Sequence, residues 1–98
     1  MNMNQGPLYH PELVVLDTPD AVAVEVSERI LRFITTESRP VLGLATGRTP
    51  LAVYARLAEA YRAGTSFADV ESFNLDEYLG LGPDDPGSFA RYMRQNLF

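Results

Sequence analysis

Short apolar runs alternate along this chain with segments of helical periodicity, and that alternation limits the folds it can adopt. The runs are Leu13–Leu16, Val41–Leu44 and Val70–Leu75. Each has the length of a buried strand. An order of strand, helix, strand, helix, strand, loop and helix is typical of a parallel sheet with helical crossovers. The sequence therefore predicts an α/β fold.

The first helical segment has a clear start. Asp17 or Thr18 can cap it, and Pro19 suits its first turn. Apolar residues then recur at helical spacing, with charged residues on the other side. These apolar residues are Val22, Val26, Ile30 and Phe33. We expect this helix to fade over residues 35–38.

The two later helices are also bounded by recognisable signals. Pro50 suits the first position of the second helix, and Gly64 is a stop signal for it. Asp85, Pro86 and Ser88 are start signals for a last helix. Residues 80–87 between them are rich in Gly, Pro and Asp and are predicted to form a loop.

Composition excludes several kinds of site. The net charge of -5 gives no electrostatic footprint for nucleic acid. The chain has no cysteine and a single histidine, His10, so we predict no metal site. No apolar run is long enough to cross a membrane, and the N-terminus does not resemble a signal peptide. We therefore expect a cytoplasmic protein.

The two ends of the chain differ in character. Residues 1–12 are polar and contain two prolines, so we expect a loose lead-in there and a folded unit over residues 13–98. The chain stops at Leu97 and Phe98, within an apolar helical pattern. An end at this point would leave an apolar face and a sheet edge uncovered. We therefore expect an incomplete domain.

The segment from Gly43 to Leu51 combines a strand end, a tight turn and a helix start, which suits phosphate binding. Glycine lets the backbone approach a ligand, threonine supplies hydroxyl donors, and arginine adds a charged contact. The predicted phosphate-binding residues are Ala45, Thr46, Gly47, Arg48 and Thr49. The nucleotide P-loop is excluded because the chain has no lysine, and the dinucleotide fingerprint lacks its third glycine. A capped strand–helix turn is the alternative.

Two adjacent carboxylates, Asp76 and Glu77, follow the third apolar run. Loops at strand ends often carry catalytic groups, and a partly shielded carboxylate can move a proton. The alternative is that Asp76 caps the following turn while Glu77 faces solvent. Asp84 and Asp85 lie among glycine and proline, so we assign them to turn and cap chemistry.

Two motifs together resemble the glucosamine-6-phosphate deaminase/isomerase family. Leu44–Leu51 is similar to its phosphate loop, and Phe73–Leu81 is similar to its catalytic aspartate segment. Ser88–Met93 and Asn96–Phe98 also resemble the helix that follows in those enzymes. The likeness runs from about Val41 to the end, and the segment around Asp76 is the more specific part.

The resemblance implies a Rossmann-like parallel sheet and an enzyme that converts glucosamine 6-phosphate to fructose 6-phosphate and ammonia without a redox cofactor. Asp76, with Glu77 beside it, would be the catalytic segment, and Asp76 would move a proton between C2 and C1 of the opened sugar. Residues 46–49 would hold the 6-phosphate. Arg48 departs from the Gly or Ser often found there in the family.

The resemblance also implies parts that this chain does not contain. The family opens the sugar ring with a downstream Asp, His and Glu cluster and holds the phosphate with further basic residues. Residues 13–98 would thus be the N-terminal part of such a domain, inactive alone, and the full-length protein could form homo-oligomers. The alternatives are a 6-phosphogluconolactonase-like hydrolase, a sugar-phosphate-sensing domain of a regulator, and a small stand-alone sugar-phosphate binder.

Overall fold

The computed structural model describes residues 11–77 and 79–98. Within these residues the elements, in chain order, are α1 (Pro19–Thr36), β1 (Val41–Leu44), α2 (Leu51–Arg62), β2 (Glu71–Asn74) and α3 (Phe89–Asn96). Most of the predicted lead-in, His10 and Tyr78 lie outside the described residues. None of the helices within them is both long and apolar enough to span a membrane.

The two strands pair in parallel, with α2 as the connection between them. The register places Val41 beside Glu71 and Leu44 beside Asn74. The backbone hydrogen bonds continue past the strand end, where the Leu75 N–H donates to the Leu44 carbonyl at 3.0 Å. This arrangement confirms the predicted α/β class and its parallel sheet with a helical crossover.

The prediction of a strand at Leu13–Leu16 is wrong. Within the described residues this segment joins no strand ladder. Leu13 and Val15 are 87% and 81% exposed. An apolar run becomes a buried strand only where a neighbouring strand offers hydrogen bonds and a packed layer covers its faces. Instead, Glu12 just before the run forms an ion pair with Arg29 of α1 at 2.6 Å.

The first helix begins as predicted but packs through a different face. The Thr18 hydroxyl accepts the Ala21 N–H at 3.0 Å, and Pro19 occupies the first turn. The buried residues are Ala23, Ser27 and Ile34. Three of the four residues in the predicted apolar stripe are exposed: Val22, Val26 and Phe33.

Small residues explain this choice of face, because α1 packs against α2. Ala23 and Ser27 let the two helices approach closely. The Arg56 side chain of α2 donates from Nε to the Ser27 hydroxyl at 2.8 Å, so the fully buried hydroxyl has a partner. Ile30 is the member of the predicted stripe that packs against the core.

The second helix carries the centre of the core. Val53, Tyr54 and Leu57 are buried and pack with Leu44 of β1 and Met93 of α3. Gly64 adopts a φ of 113° just after the helix, as its stop signal predicts. The Gly64 and Thr65 N–H groups donate to Tyr61 and Ala60, the pairing of a Schellman motif.

The prediction of turn chemistry in the loop before α3 is confirmed for Asp85, whereas the Asp84 carboxylate forms an ion pair. The Asp85 carboxylate accepts the Gly82 N–H at 2.7 Å, and Asp84 pairs with Arg94 at 2.9 Å. Ser88 is buried and its hydroxyl accepts the Arg91 N–H at 3.1 Å, so the predicted helix start is also confirmed.

Leu57→Ala tests whether α2 centres the core. Leu57 is 0% exposed, so we expect the truncation to lower the free energy of unfolding by about 2–5 kcal/mol. The matched control is Leu79→Ala at a fully exposed leucine, for which we expect a change within about 0.5 kcal/mol. Urea unfolding followed by circular dichroism measures both. Equal effects of the two variants would contradict the assignment of this core.

Candidate functional site

The parallel register brings the two predicted site segments to one edge of the sheet. Residues 45–50 follow β1 and residues 75–77 follow β2, and the last paired residues of the two strands, Leu44 and Asn74, are direct neighbours. Thr46 and Asp76 therefore each lie two residues beyond the same pair. Ligands of open parallel sheets bind in the crevice at this carboxyl edge.

Two glycines shape this edge. Gly47 has a φ of 100°, which residues with a side chain rarely adopt. Gly43 lies where the two strands meet, and a Cβ there would come within 3.2 Å of Leu75 Cδ2. The missing side chain thus lets Leu75 pack over the end of β1. A turn from the Leu51 N–H to the Arg48 carbonyl, at 3.2 Å, then leads into α2.

The N-terminus of α2 lacks the side-chain cap that the other two described helices have. Pro50 occupies the cap position and accepts no N–H through its side chain, whereas Thr18 caps α1 and Ser88 caps α3. The first N–H groups of a helix have no partner within the helix, and the helix dipole favours negative charge there. The start of α2 is therefore receptive to an anion.

The predicted side chains of the loop are largely open to solvent. Ala45, Arg48 and Thr49 are exposed, and Thr46 is half-buried. Within residues 11–77 and 79–98, Thr46, Arg48 and Thr49 make no side-chain hydrogen bond or ion pair. Two hydroxyls and one guanidinium thus remain available to a ligand.

Two tyrosines, Tyr54 of α2 and Tyr92 of α3, hold the loop backbone. The Tyr54 hydroxyl donates to the Ala45 carbonyl, and the Tyr92 hydroxyl donates to the Gly47 carbonyl at 2.5 Å. Their rings meet edge to face, with centroids 6.4 Å apart. A buried tyrosine needs a partner for its hydroxyl, which was the available signal for Tyr54.

These two hydrogen bonds decide where the loop amides point. A trans peptide holds its carbonyl and the following N–H on opposite sides, and the described residues contain no cis bond. Because the Ala45 and Gly47 carbonyls face the tyrosines, the N–H groups of Thr46 and Arg48 face away from them. The loop therefore presents main-chain donors beside the start of α2.

The two acidic residues have different surroundings, although both are exposed. The Glu77 carboxylate accepts the Phe89 N–H at 2.8 Å and the Ala90 N–H at 2.9 Å, which lie in the first turn of α3. Asp76 makes no hydrogen bond or ion pair with the described residues. The alternative named Asp76 as the capping residue. The structure shows instead that Glu77 caps, because its carboxylate binds the first turn of α3.

The described residues also form an apolar groove of about 500 Å³. It is formed by the sheet, α2 and the end of the chain, and its lining includes Leu42, Leu57, Phe67, Val70 and Phe98. None of the predicted site residues lines it. Within the described residues, no group of three or more His, Asp or Glu side chains could hold a metal ion.

Fold and site together define an α/β protein with an anion-receptive loop and a carboxylate at the carboxyl edge of a parallel sheet. Comparison with known proteins narrows this class. Glucosamine-6-phosphate deaminase of Colwellia psychrerythraea is 42% identical over 88 residues, and that of Cellvibrio japonicus is 46% identical over 88 residues. The matches cover 89% of this chain and 33% and 34% of those proteins.

The structural comparison agrees. A solved monomeric glucosamine-6-phosphate deaminase, described as a missing link of the NagB superfamily, matches with a TM-score of 0.80 and 34% identity. The match covers 85% of this chain and 35% of that one. No family model matches the chain. The resemblance is confirmed: this chain is homologous in sequence and fold to part of the glucosamine-6-phosphate deaminases, and spans about a third of their length.

Gly47→Ala tests the backbone of the loop. A Cβ at a φ of 100° meets no neighbour within 4 Å but forces a rarely adopted conformation, so we expect a loss of about 1–2 kcal/mol in unfolding free energy. Gly82→Ala is the control, because its Cβ would lie 3.8 Å from Asp85 and its φ is not positive. Thermal melting compares them, and equal stability of the two variants would contradict the loop conformation.

Alkaline pH tests the tyrosine contacts. Burial, and for Tyr54 also the nearby Tyr92, raises the pKa of both phenols above the ordinary value of 10.0. The folded protein thus keeps protons that the unfolded chain releases, so stability is full below pH 10 and falls as pH rises through the folded pKa values. We expect the melting temperature to drop above pH 10, and to drop less in Tyr54→Phe. A pH-independent melting temperature would contradict this.

Proposed function

We propose that this chain is part of a glucosamine-6-phosphate deaminase-like enzyme of cytoplasmic amino-sugar catabolism. Such an enzyme converts glucosamine 6-phosphate and water to fructose 6-phosphate and ammonia. The observation that carries the proposal is the juxtaposition of the open α2 N-terminus with Asp76 at one edge of the sheet. The names of the homologous proteins support the substrate class.

In this proposal the loop binds the 6-phosphate. The Thr46 and Arg48 N–H groups and the start of α2 supply main-chain donors and a favourable dipole. The hydroxyls of Thr46 and Thr49 add donors, and the Arg48 guanidinium adds positive charge in a chain of net charge -5. Ala45 contributes through its position, because the Tyr54 hydroxyl bound to its carbonyl leaves the following Thr46 N–H facing away from the tyrosines.

Asp76 is the proposed base. Its carboxylate removes the proton from C2 of the opened amino sugar and returns it to C1, which moves the carbonyl character from C1 to C2. Water then replaces the nitrogen at C2 and ammonia leaves. A single carboxylate can perform both transfers because they occur on one face of the intermediate. The hydrogen moves within the substrate, so the reaction needs no redox cofactor.

Phosphate binding and catalysis can be tested separately in this chain. The chain covers about a third of its relatives, and the resemblance places ring opening and further phosphate contacts in residues this chain does not contain. We therefore expect the 98-residue chain to bind sugar phosphate weakly and to release no ammonia from it. We also propose that any homo-oligomer forms in the full-length protein.

Titration of the 98-residue chain with glucosamine 6-phosphate tests the proposal by NMR. We expect the amide resonances of residues 46–49 to shift with glucosamine 6-phosphate and with inorganic phosphate, and to stay in place with unphosphorylated glucosamine. Arg48→Ala should weaken binding about 2- to 5-fold, since an exposed charge pair contributes up to about 1 kcal/mol. Arg39→Ala, at an exposed arginine outside the loop, is the matched control.

Each result has a defined meaning. Unchanged loop resonances would contradict the phosphate site. An equal loss of affinity in the Arg39 and Arg48 variants would mean a non-specific charge effect. Substantial ammonia release by the 98-residue chain would contradict the separation of binding from catalysis. Hydrolysis of 6-phosphogluconolactone without any effect of glucosamine 6-phosphate would favour the lactonase-like alternative.

A further inference from the structure

The N-terminus of α3 is fully occupied by side chains from elsewhere in the chain. Ser88 accepts the Arg91 N–H, and Glu77 accepts the N–H groups of Phe89 and Ala90 with its two carboxylate oxygens. A carboxylate at a helix start also interacts favourably with the helix dipole. The helix is thereby attached to the residue that directly follows Asp76.

The same helix reaches the phosphate loop one turn later. Tyr92 lies on α3, and its hydroxyl donates to the Gly47 carbonyl at 2.5 Å, across 45 positions of sequence. Its ring also packs edge to face against Tyr54, which holds the Ala45 carbonyl. Helix α3 is thus bonded at its first turn to Glu77, in the segment after β2, and through Tyr92 to Gly47, in the segment after β1.

We propose that Glu77 is a positioning residue, whose carboxylate fixes α3 and, through Tyr92, sets the conformation of the phosphate loop. The expected effect on phosphate binding rests on the proposed function. The hydrogen bonds of Glu77 and Tyr92 lie within the chain and do not depend on a ligand. The carboxylate cannot hold two amides of α3 and shuttle a substrate proton at once. Proton transfer falls to Asp76, while Glu77 ties the base segment to the loop.

Glu77 also affects which helix N-terminus can bind an anion. Both α2 and α3 begin on the chain segments that follow the two strands. At α3, Glu77 and Ser88 satisfy the first three N–H groups, so an anion would meet a carboxylate there. At α2 no side chain caps the start. Glu77 thereby directs a phosphate to the loop of residues 45–49.

Amide hydrogen exchange in the 98-residue chain tests the first link. Glu77→Gln keeps the size of the side chain but replaces one acceptor oxygen with a donor. We expect Phe89 or Ala90 to exchange at least about tenfold faster, since a charge-assisted hydrogen bond of this kind is worth about 1.5–3 kcal/mol. Glu28→Gln, at an exposed glutamate of α1, is the matched control and should leave both rates unchanged.

A double-mutant cycle tests the second link. Glu77→Gln alone should move the Gly47 and Arg48 amide resonances. In a Tyr92→Phe background the same change should leave them where Tyr92→Phe alone places them, because the connecting hydroxyl is gone. A general loosening of the fold would instead move the loop resonances equally in both backgrounds, and that result would overturn the proposal.

The affinity for inorganic phosphate gives the functional readout. We expect Glu77→Gln to raise the Kd roughly fivefold, the lower end of usual coupling between sites. An unchanged Kd, or unchanged exchange at Phe89 and Ala90, would overturn the positioning role. If the parent chain binds no phosphate, the proposed function fails, and the exchange and resonance measurements still decide the role of Glu77.

Discussion

The parallel pairing of β1 with β2 is the constraint on which the candidate site depends. Leu44 and Asn74 end the ladder side by side, and the Leu75 N–H adds one more bond to the Leu44 carbonyl. A shift of the register by one residue would turn the side chains of β2 to the opposite face and separate the two loops. The absence of a side chain at Gly43 keeps this junction close-packed.

The three described helices differ in whether a side chain caps the N-terminus. The α1 start is closed by Thr18, and the α3 start is closed by Ser88 and Glu77. Only α2, among the helices of residues 11–77 and 79–98, begins without a capping side chain. Because Tyr54 and Tyr92 bind loop carbonyls from the packed side, the amides next to that start face outward. The capacity of the loop to accept an anion therefore depends on Tyr54 and Tyr92 as much as on the loop residues themselves.

Local sequence predicted those features that depend on neighbouring residues and missed those that depend on distant ones. Val41–Leu44 is a strand, as its apolar run after Pro40 predicts, because it also has a partner in β2. Leu13–Leu16 has the same local signal, but in the described residues it has no strand partner. The packing face of α1 was misjudged because Ala23 and Ser27 are buried by contact with α2, which periodicity does not reveal.

The same distinction applies within the site. Short motifs predict the loop and Asp76 as site residues, and the parallel sheet brings the two segments to one edge. The bond from Tyr92 to Gly47 joins residues 45 positions apart, so no local pattern indicates it. Glu77 was grouped with Asp76 because the two are adjacent in sequence. Only the folded chain shows that one carboxylate is bound to α3 while the other makes no such contact.

The solvent exposure of the side chains at this sheet edge limits the chemistry that the described residues can perform. Asp76, Arg48 and Thr49 are all open to water, so their electrostatic interactions are screened and weak. The proposed phosphate binding would tolerate this, because several donors would converge on one multiply charged group. Proton transfer at carbon tolerates it less, since a carboxylate is an effective base when water is excluded and its position is fixed. A site that covers Asp76 needs further protein, and the relatives that share this fold are about three times as long as the matched region.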